Sequence, residues 1–176
     1  MDKTNNNFLQ SSIEIFKQYK SLADKAMQQI NEEDFYWQAN EQSNNVYLII
    51  KHMQGNMKSR WTDFLTTDGE KEWRQRDAEF EQNERPNKTE MLKMWDDGWH
   101  CLFNTLELLT ENDLSKIITI RSEPHSVMQA INRQVAHYAS HVGQIVFICK
   151  IIAGNNWQTL SIAKGKSQEF NHHMQK

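Results

Sequence analysis

Four long stretches of this chain carry apolar residues at helical spacing with almost no glycine inside them, and the two prolines, Pro86 and Pro124, stand outside all four. Proline breaks a helix interior and glycine weakens it, so the pattern confines the chain to packed helices. The first stretch, residues 7–30, places Phe8, Leu9, Ile13, Phe16, Leu22, Ala26 and Ile30 on one face. The second, residues 44–66, runs Val46, Ile49, Ile50, Met53, Met57, Trp61, Phe64; Ser43 or Asn44 is placed to cap it and Asp68-Gly69 to end it. The third, residues 88–109, follows Pro86 with Asn87 and Glu90 spaced as a capping box. Its stripe is Leu92, Trp95, Trp99, Leu102, Leu106, Leu109, the stepping that packs helices at shallow angles. The fourth, residues 126–153, opens with Ser126 and Gln129 in the same capping relation and closes at Gly154.

The expected fold is therefore all-α, a four-helix bundle in one domain over residues 1–176. The connections qualify it. Residues 66–85 form a long polar link rich in Glu, Lys and Arg, which reads as a crossover that starts the third helix at the same end of the bundle as the second, with a flexible lid as the alternative. Ile117 to Arg121, ahead of Ser122-Glu123-Pro124, is β-branched and short, so a strand or hairpin is expected before the fourth helix. Residues 154–176 read as a tail packed on the bundle or fraying from it.

Composition then removes whole classes of function. Lys and Arg number 20 against 23 Asp and Glu, interspersed, for a net charge of -3; no basic run exists to neutralise phosphates, so no nucleic-acid partner is expected. The N-terminal residues lack a basic region followed by an apolar one, and no stretch approaches the roughly 18 apolar residues of a membrane span. A cytoplasmic protein without a membrane partner is expected. Cys101 and Cys149 lie far apart within apolar segments and read as small buried hydrophobes. No phosphate-binding glycine loop, nucleophile elbow or zinc-protease H-E-x-x-H occurs.

The chemistry lies in the histidines. His137 and His141, four apart on a helix, stand about 40° apart around its axis and about 6 Å apart along it, so their rings can converge on one ion. Both fall on the border of the fourth segment's apolar sector, along Ala130, Gln134, His137, His141, Ile145 and Ile148. His52 holds the comparable border of the second segment. Three neutral imidazoles on one seam either bind a metal with an open fourth position or are satisfied separately by carbonyls and glutamines. Asn56 and Gln134, one turn from His52 and His137, are candidate supports for the site. Arg60 and Arg133 are candidates to meet an anionic group, with salt bridges as the plainer role. No general base stands out. The other histidines read as plain: His100 as solvent-exposed, His125 as a turn hydrogen bond, His172-His173 as part of a frayed tail. Trp73, Phe80 and Trp157 are either an exposed interaction surface or a satellite core under the crossover, and Met27, Met53, Met57 and Met94 are packing residues.

At these residues the chain resembles a known superfamily. Ile50-Lys51-His52-Met53 with Gly55-Asn56-Met57, then Ser59-Arg60-Trp61-Thr62-Asp63-Phe64-Leu65, Asn132-Arg133-Gln134 with His137-Tyr138, and His141-Val142-Gly143-Gln144 resemble the DinB/YfiT-like superfamily, in particular its branch of small bacillus-type proteins. The likeness extends through Ser161-Ile162-Ala163-Lys164-Gly165 and Phe170-Asn171. It implies a divalent transition metal, zinc or nickel first, held by His52, His137 and His141, a bundle with a long link between helices two and three, and a homodimer. It further implies a metal-dependent enzyme, either a thiol S-transferase with bacillithiol as co-substrate or a hydrolase, acting on a small molecule the sequence does not name. A non-catalytic metal-binding or stress-related dimeric interaction module is the alternative.

Overall fold

The computed structural model describes residues 3–174. Four long helices form the bundle: α1 (Lys3–Met27), α2 (Val46–Trp61), α3 (Lys88–Leu108) and α4 (Val127–Ala153). A hairpin of β1 (Ile117–Ile120) and β2 (Glu123–Ser126) precedes α4, and a short α5 (Ser167–Met174) follows it.

Helix direction follows from which residues meet. Thr105 Oγ1 donates to the Trp61 carbonyl at 2.8 Å and Cys101 Sγ reaches the Met57 carbonyl at 3.9 Å, so α2 and α3 advance together and run parallel. Gly98 lets the two backbones close: a Cβ there would sit 3.1 Å from Gln54 Cα. Lys20 bonds Asp96 while Asp24 accepts from Trp95, so α1 and α3 are antiparallel. The pairs His52 with His141 and Asn56 with Tyr138 make α2 and α4 antiparallel. The long link is thus the expected crossover, returning the chain to the starting end of α2.

One aromatic side chain from each helix meets at the centre. Phe16 lies 6.4 Å from Trp61, 6.4 Å from Trp99 and 5.7 Å from Tyr138 between ring centroids, and Trp99 lies 5.8 Å from Tyr138. Such edge-to-face rings combine large apolar burial with fixed geometry. The indole N–H of Trp61 donates to Tyr138 Oη at 3.0 Å, and that hydroxyl donates to Asn56 Oδ1 at 3.0 Å, so these groups are satisfied in a chain, while the buried Trp99 indole N–H has no partner. Tyr138 is fully buried next to His137. It fixes the rotation of α4 and hence the direction its histidines face.

Several boundaries differ from the sequence reading. Asn45, not Ser43 or Asn44, caps α2, its side chain accepting from the Leu48 N–H at 2.8 Å. The first helix begins at Lys3 and ends at Met27, earlier at both ends than expected. The second stops at Trp61, well before Asp68-Gly69, because Asp63 turns left-handed at φ +48° and its carbonyl accepts from the Thr66 and Thr67 hydroxyls. The capping boxes of α3 and α4 are as read, and so is Gly154 after α4, at φ +54°. In α3, Met91 takes the buried place expected of Leu92. The described part of the tail, residues 154–174, does more than fray. Gln158 exchanges two hydrogen bonds with Gln29 at 2.7 and 3.0 Å, Trp157 and Leu160 pack on the core, and α5 carries His172 and His173 on its exposed surface.

The hairpin is antiparallel with Ile118 opposite His125, so His125 is a strand residue and not a turn donor. Its turn residues, Arg121 and Ser122, both have positive φ, which neither side chain favours. Asp68 holds them there, accepting from both N–H groups at 2.8 Å. Burial would raise the Asp68 carboxyl, yet backbone donors from Glu70, Ser122 and Arg121 hold it at about 2. Together with Gly69 N–H to the Thr119 carbonyl at 2.8 Å, this clasp ties the crossover to the hairpin.

Val127–Asn156 contains an 18-residue window of mean hydropathy 1.3, long and apolar enough to cross a membrane by length and composition only, a property that core helices share. In the fold its inner face packs along α1, and its margin carries the histidines. Phe147 and Ile151 are exposed on its outer face.

Candidate metal centre

His52 sits in the middle of α2, and His137 and His141 occupy successive turns of α4 where the two helices face each other. Ring centroids are 5.4 Å apart for His52 and His137, 4.9 Å for His52 and His141, and 4.7 Å for His137 and His141. One ligand atom from each lies within 4.8 Å of the others, the group among the described residues placed to hold an ion. Nε2 of His137 stands 3.4 Å from Nε2 of His52 and 3.0 Å from Nε2 of His141.

The opposite nitrogen of each ring is occupied. His52 Nδ1 lies 2.8 Å from Glu79 Oε2, His137 Nδ1 3.4 Å from Gln134 Oε1, and His141 Nδ1 3.2 Å from Gln144 Oε1. Each partner is an oxygen acceptor, so each Nδ1 carries the proton and donates it outward. The three Nε2 lone pairs are then left facing one another. Burial first, and then His141 and His52, push the His137 imidazole down to about 3; burial and His52 also lower His141. Both rings are neutral at pH 7, the form that ligates.

Three converging lone pairs repel unless a cation sits among them, so the arrangement is one that could hold a metal ion. An ion about 2.0–2.1 Å from each imidazole would space the nitrogens by about 2.9 Å at right angles and about 3.4 Å at the tetrahedral angle. The observed 3.0 and 3.4 Å fit that range. The donor set suits zinc, nickel, copper or iron.

Glu79 is the residue the sequence reading missed. It lies in a 3-10 turn of the crossover, Asp77–Phe80, buried against α2, and Arg74 grips it with Nε at 2.7 Å and Nη2 at 2.9 Å. Burial would raise its carboxyl, but hydrogen bonds from His52 and Arg74 lower it, keeping an anion behind the ring. Gly55 makes room: a Cβ there would fall inside the envelope of Glu79 Oε1 and 2.9 Å from its Cδ. A glycine inside a helix costs about 1 kcal/mol relative to alanine, and that cost was the available signal of a close approach. Gln144 was missed too, although it stands three residues beyond His141 as Gln134 stands three before His137. Phe80 stacks on His52 at 4.9 Å and 28°, so it belongs to the wall of the site, whereas Trp73 remains 57% exposed and Trp157 packs on the core.

The other anticipated residues divide. Gln134 is buried, with its Oε1 3.4 Å from His137 Nδ1. Asn56 is buried but serves Tyr138, not His52. Arg60 is buried, pairs with Glu70 at 3.2 Å and donates to the Gly69 carbonyl, while still lining the cavity in front of the histidines; Arg133 is exposed on its rim. The cavity encloses about 360 Å³. His100, His125, His172 and His173 stand outside the cluster.

No curated protein and no solved structure matches the chain. A sequence profile described as protein of unknown function, DUF1572, matches residues 3–166. The match takes in both site helices, the crossover that delivers Glu79, and the hairpin. The chain belongs to the DUF1572 family.

Proposed function

We propose that this protein is a metal-dependent thiol S-transferase of the DinB/YfiT-like type, with one divalent ion held by His52, His137 and His141 and a small-molecule thiol such as bacillithiol as co-substrate. The observation that carries the reading is the convergence of three Nε2 atoms whose opposite nitrogens all donate outward. Three protein ligands leave an open position, the pattern of a catalytic site. A divalent ion bound there, zinc or nickel first, supplies the Lewis acidity that lowers the pKa of a thiol or a water.

The chain's own residues favour the thiol over the water. Around the cavity stand His, Arg, Asn, Gln and Phe side chains, and the nearest carboxylates, Glu79 and Glu70, are already engaged by arginines. A free thiol titrates near about 8.5 and needs little help to ionise, whereas bulk water at about 15.7 needs far more and gains from a general base. Hydrolysis is therefore the second reading. Glu79 orients His52, Gln134 and Gln144 orient the other two rings, and Phe80 shields the His52 face from water.

Two further parts of the proposal concern assembly and place. Phe147 and Ile151, 65% and 48% exposed, follow Ala136, Ser140 and Gly143 along the outer side of α4, a face that a second copy of the chain would cover in a homodimer. A bacillithiol-using enzyme works in the cytoplasm, where Cys101 and Cys149 stay as the free thiols found here. A non-catalytic metal-binding dimer would share the ion and the α4 face but turn nothing over. Metal analysis of tag-free protein, paired with bacillithiol consumption in the presence of a chlorinated aromatic electrophile, tests the reading. One ion per chain and turnover, both lost in His137→Ala, are expected. A loaded protein that consumes no thiol sinks the enzyme, and one that takes no ion sinks the site.

A further inference from the structure

The net charge of the chain is -3, yet five guanidinium groups line the one cavity in front of the histidines: Arg60, Arg74, Arg76, Arg121 and Arg133. Two carboxylates answer them. Glu70 is shared by Arg60 at 3.2 Å, Arg121 at 3.0 Å and Arg74 at 3.7 Å, and Glu79 is shared by Arg74 and His52. Arg76 and Arg133 have no carboxylate partner among the described residues. Arg76 is nevertheless placed, its guanidinium 5.7 Å above the ring of Phe80, which itself stacks on His52.

The buried arginines carry a second and independent sign. Arg60 is 5% exposed and the Arg74 side chain 2%, and each keeps a buried N–H nitrogen with no hydrogen-bond partner: Arg60 Nε and Arg74 Nη1. Leaving such donors unmet costs free energy, and both arginines also line the cavity. Neutral wall residues, Asn44, Asn56, Gln134 and Gln144, add donors and acceptors but no charge.

We propose that the cavity binds a small substrate bearing at least two negative charges, its carboxylate or phosphate oxygens received by the arginines while its reactive end points to the three histidines. The proposal rests on the reading of those histidines as a metal centre for the direction in which the substrate lies, not for the anion site itself. Guanidinium forks match carboxylate and phosphate geometry, and a cluster with surplus positive charge binds such groups by charge-assisted hydrogen bonds. The same surplus concentrates anions at the mouth of the cleft. Arg60 and Arg74 form the rigid floor of the subsite, and Arg76, Arg121 and Arg133 form its rim.

Calorimetric titration of the zinc-loaded full chain with succinate, inorganic phosphate and the neutral isostere succinamide tests this. Succinate or phosphate binds at one per chain and at least about tenfold tighter than succinamide, the preference expected when one or two charge-assisted bonds are at stake. The double variant Arg76→Gln, Arg133→Gln, chosen because both residues are exposed and unpaired, keeps its zinc stoichiometry and loses most of that preference. Succinate over phosphate, or the reverse, names the source of the charge. Equal affinity for succinate and succinamide, or a preference the double variant retains, overturns the proposal. The same titration of the metal-free chain separates the two readings: no zinc uptake with a surviving anion preference removes the metal centre alone, and zinc uptake without preference removes the anion site alone.

Discussion

The two halves of the candidate metal centre are built differently. On α4, His137 and His141 and their supports Gln134 and Gln144 belong to one helix, each three or four residues from the next, and both supports are neutral amides. On α2, His52 takes its support from Glu79, 27 residues further along the chain, a buried carboxylate gripped in turn by Arg74. The α4 half is assembled by the helix alone. The α2 half exists only once the crossover has folded back over α2, so under the proposed function it would couple metal affinity to the position of that link.

Removing a ligand should have the largest effect and should not distinguish the halves. His52→Ala and His141→Ala are each expected to abolish stoichiometric metal binding, measured by elemental analysis. They should also abolish the rise in melting temperature that added Zn²⁺ gives the parent protein, since an ion that binds only the folded state stabilises it by mass action. A variant that keeps one ion per chain would show that the cluster is not the site.

Disturbing the supports should separate the halves. Glu79→Gln keeps the shape but leaves Arg74 a buried cation with only the more distant Glu70, at 3.7 Å, as an anion. Losing one partner of a buried pair costs about 3–5 kcal/mol, and losing a support of a ligating histidine lowers metal affinity about 10–100-fold. Both losses are expected here, read by denaturant unfolding and by competition with a chromophoric chelator. An unfolding free energy within about 1 kcal/mol of the parent would mean that the Arg74–Glu79 pair is not seated as described.

This asymmetry is also why one half was legible in the sequence and the other was not. Helical periodicity and capping residues locate α3 and α4 to within a residue, and a four-residue spacing fixes the relation of His137 to His141 without any knowledge of the fold. His52 could be placed on the facing seam from its own helix's pattern. Glu79 could not, because it is one acid in a polar link with several, and only the tertiary path of that link distinguishes it. The end of α2 was hidden for a related reason: Asp63 adopts a left-handed conformation that Gly69 seemed better suited to supply, and the threonines that make this tolerable lie three and four residues on. Arg121 and Ser122 in the hairpin turn are the same case, a disfavoured conformation held by a distant aspartate.

Gly55 sharpens the comparison at smaller cost. In Gly55→Ala the added methyl meets the end of a flexible side chain, so the backbone need not move, but the carboxylate that must give way is held by His52 and Arg74. Overpacking of this kind costs about 1–3 kcal/mol, against a gain of up to about 1 kcal/mol from better helix propensity. A net loss of stability together with weaker metal binding is expected. If Gly55→Ala is stabilising and leaves the chelator competition unchanged, Glu79 has room to move and the crossover is looser than described.

The smallest effects should fall on the α4 supports, and they should differ between themselves. Gln134 is buried, so Gln134→Leu removes an acceptor from a site where water cannot easily replace it, and a net loss of about 0.5–1.5 kcal/mol with a fall in metal affinity is expected. Gln144 is exposed, and in Gln144→Ala water can take the His141 Nδ1 proton that its amide oxygen now accepts. Stability should stay within about 0.5 kcal/mol of the parent, as for most surface substitutions. The chelator competition should rank the three support variants Glu79→Gln, Gln134→Leu, Gln144→Ala from weakest metal binding to strongest. A Gln144→Ala variant that binds metal as poorly as Glu79→Gln would show that it is the direction of the ring, and not burial or charge behind it, that the supports provide.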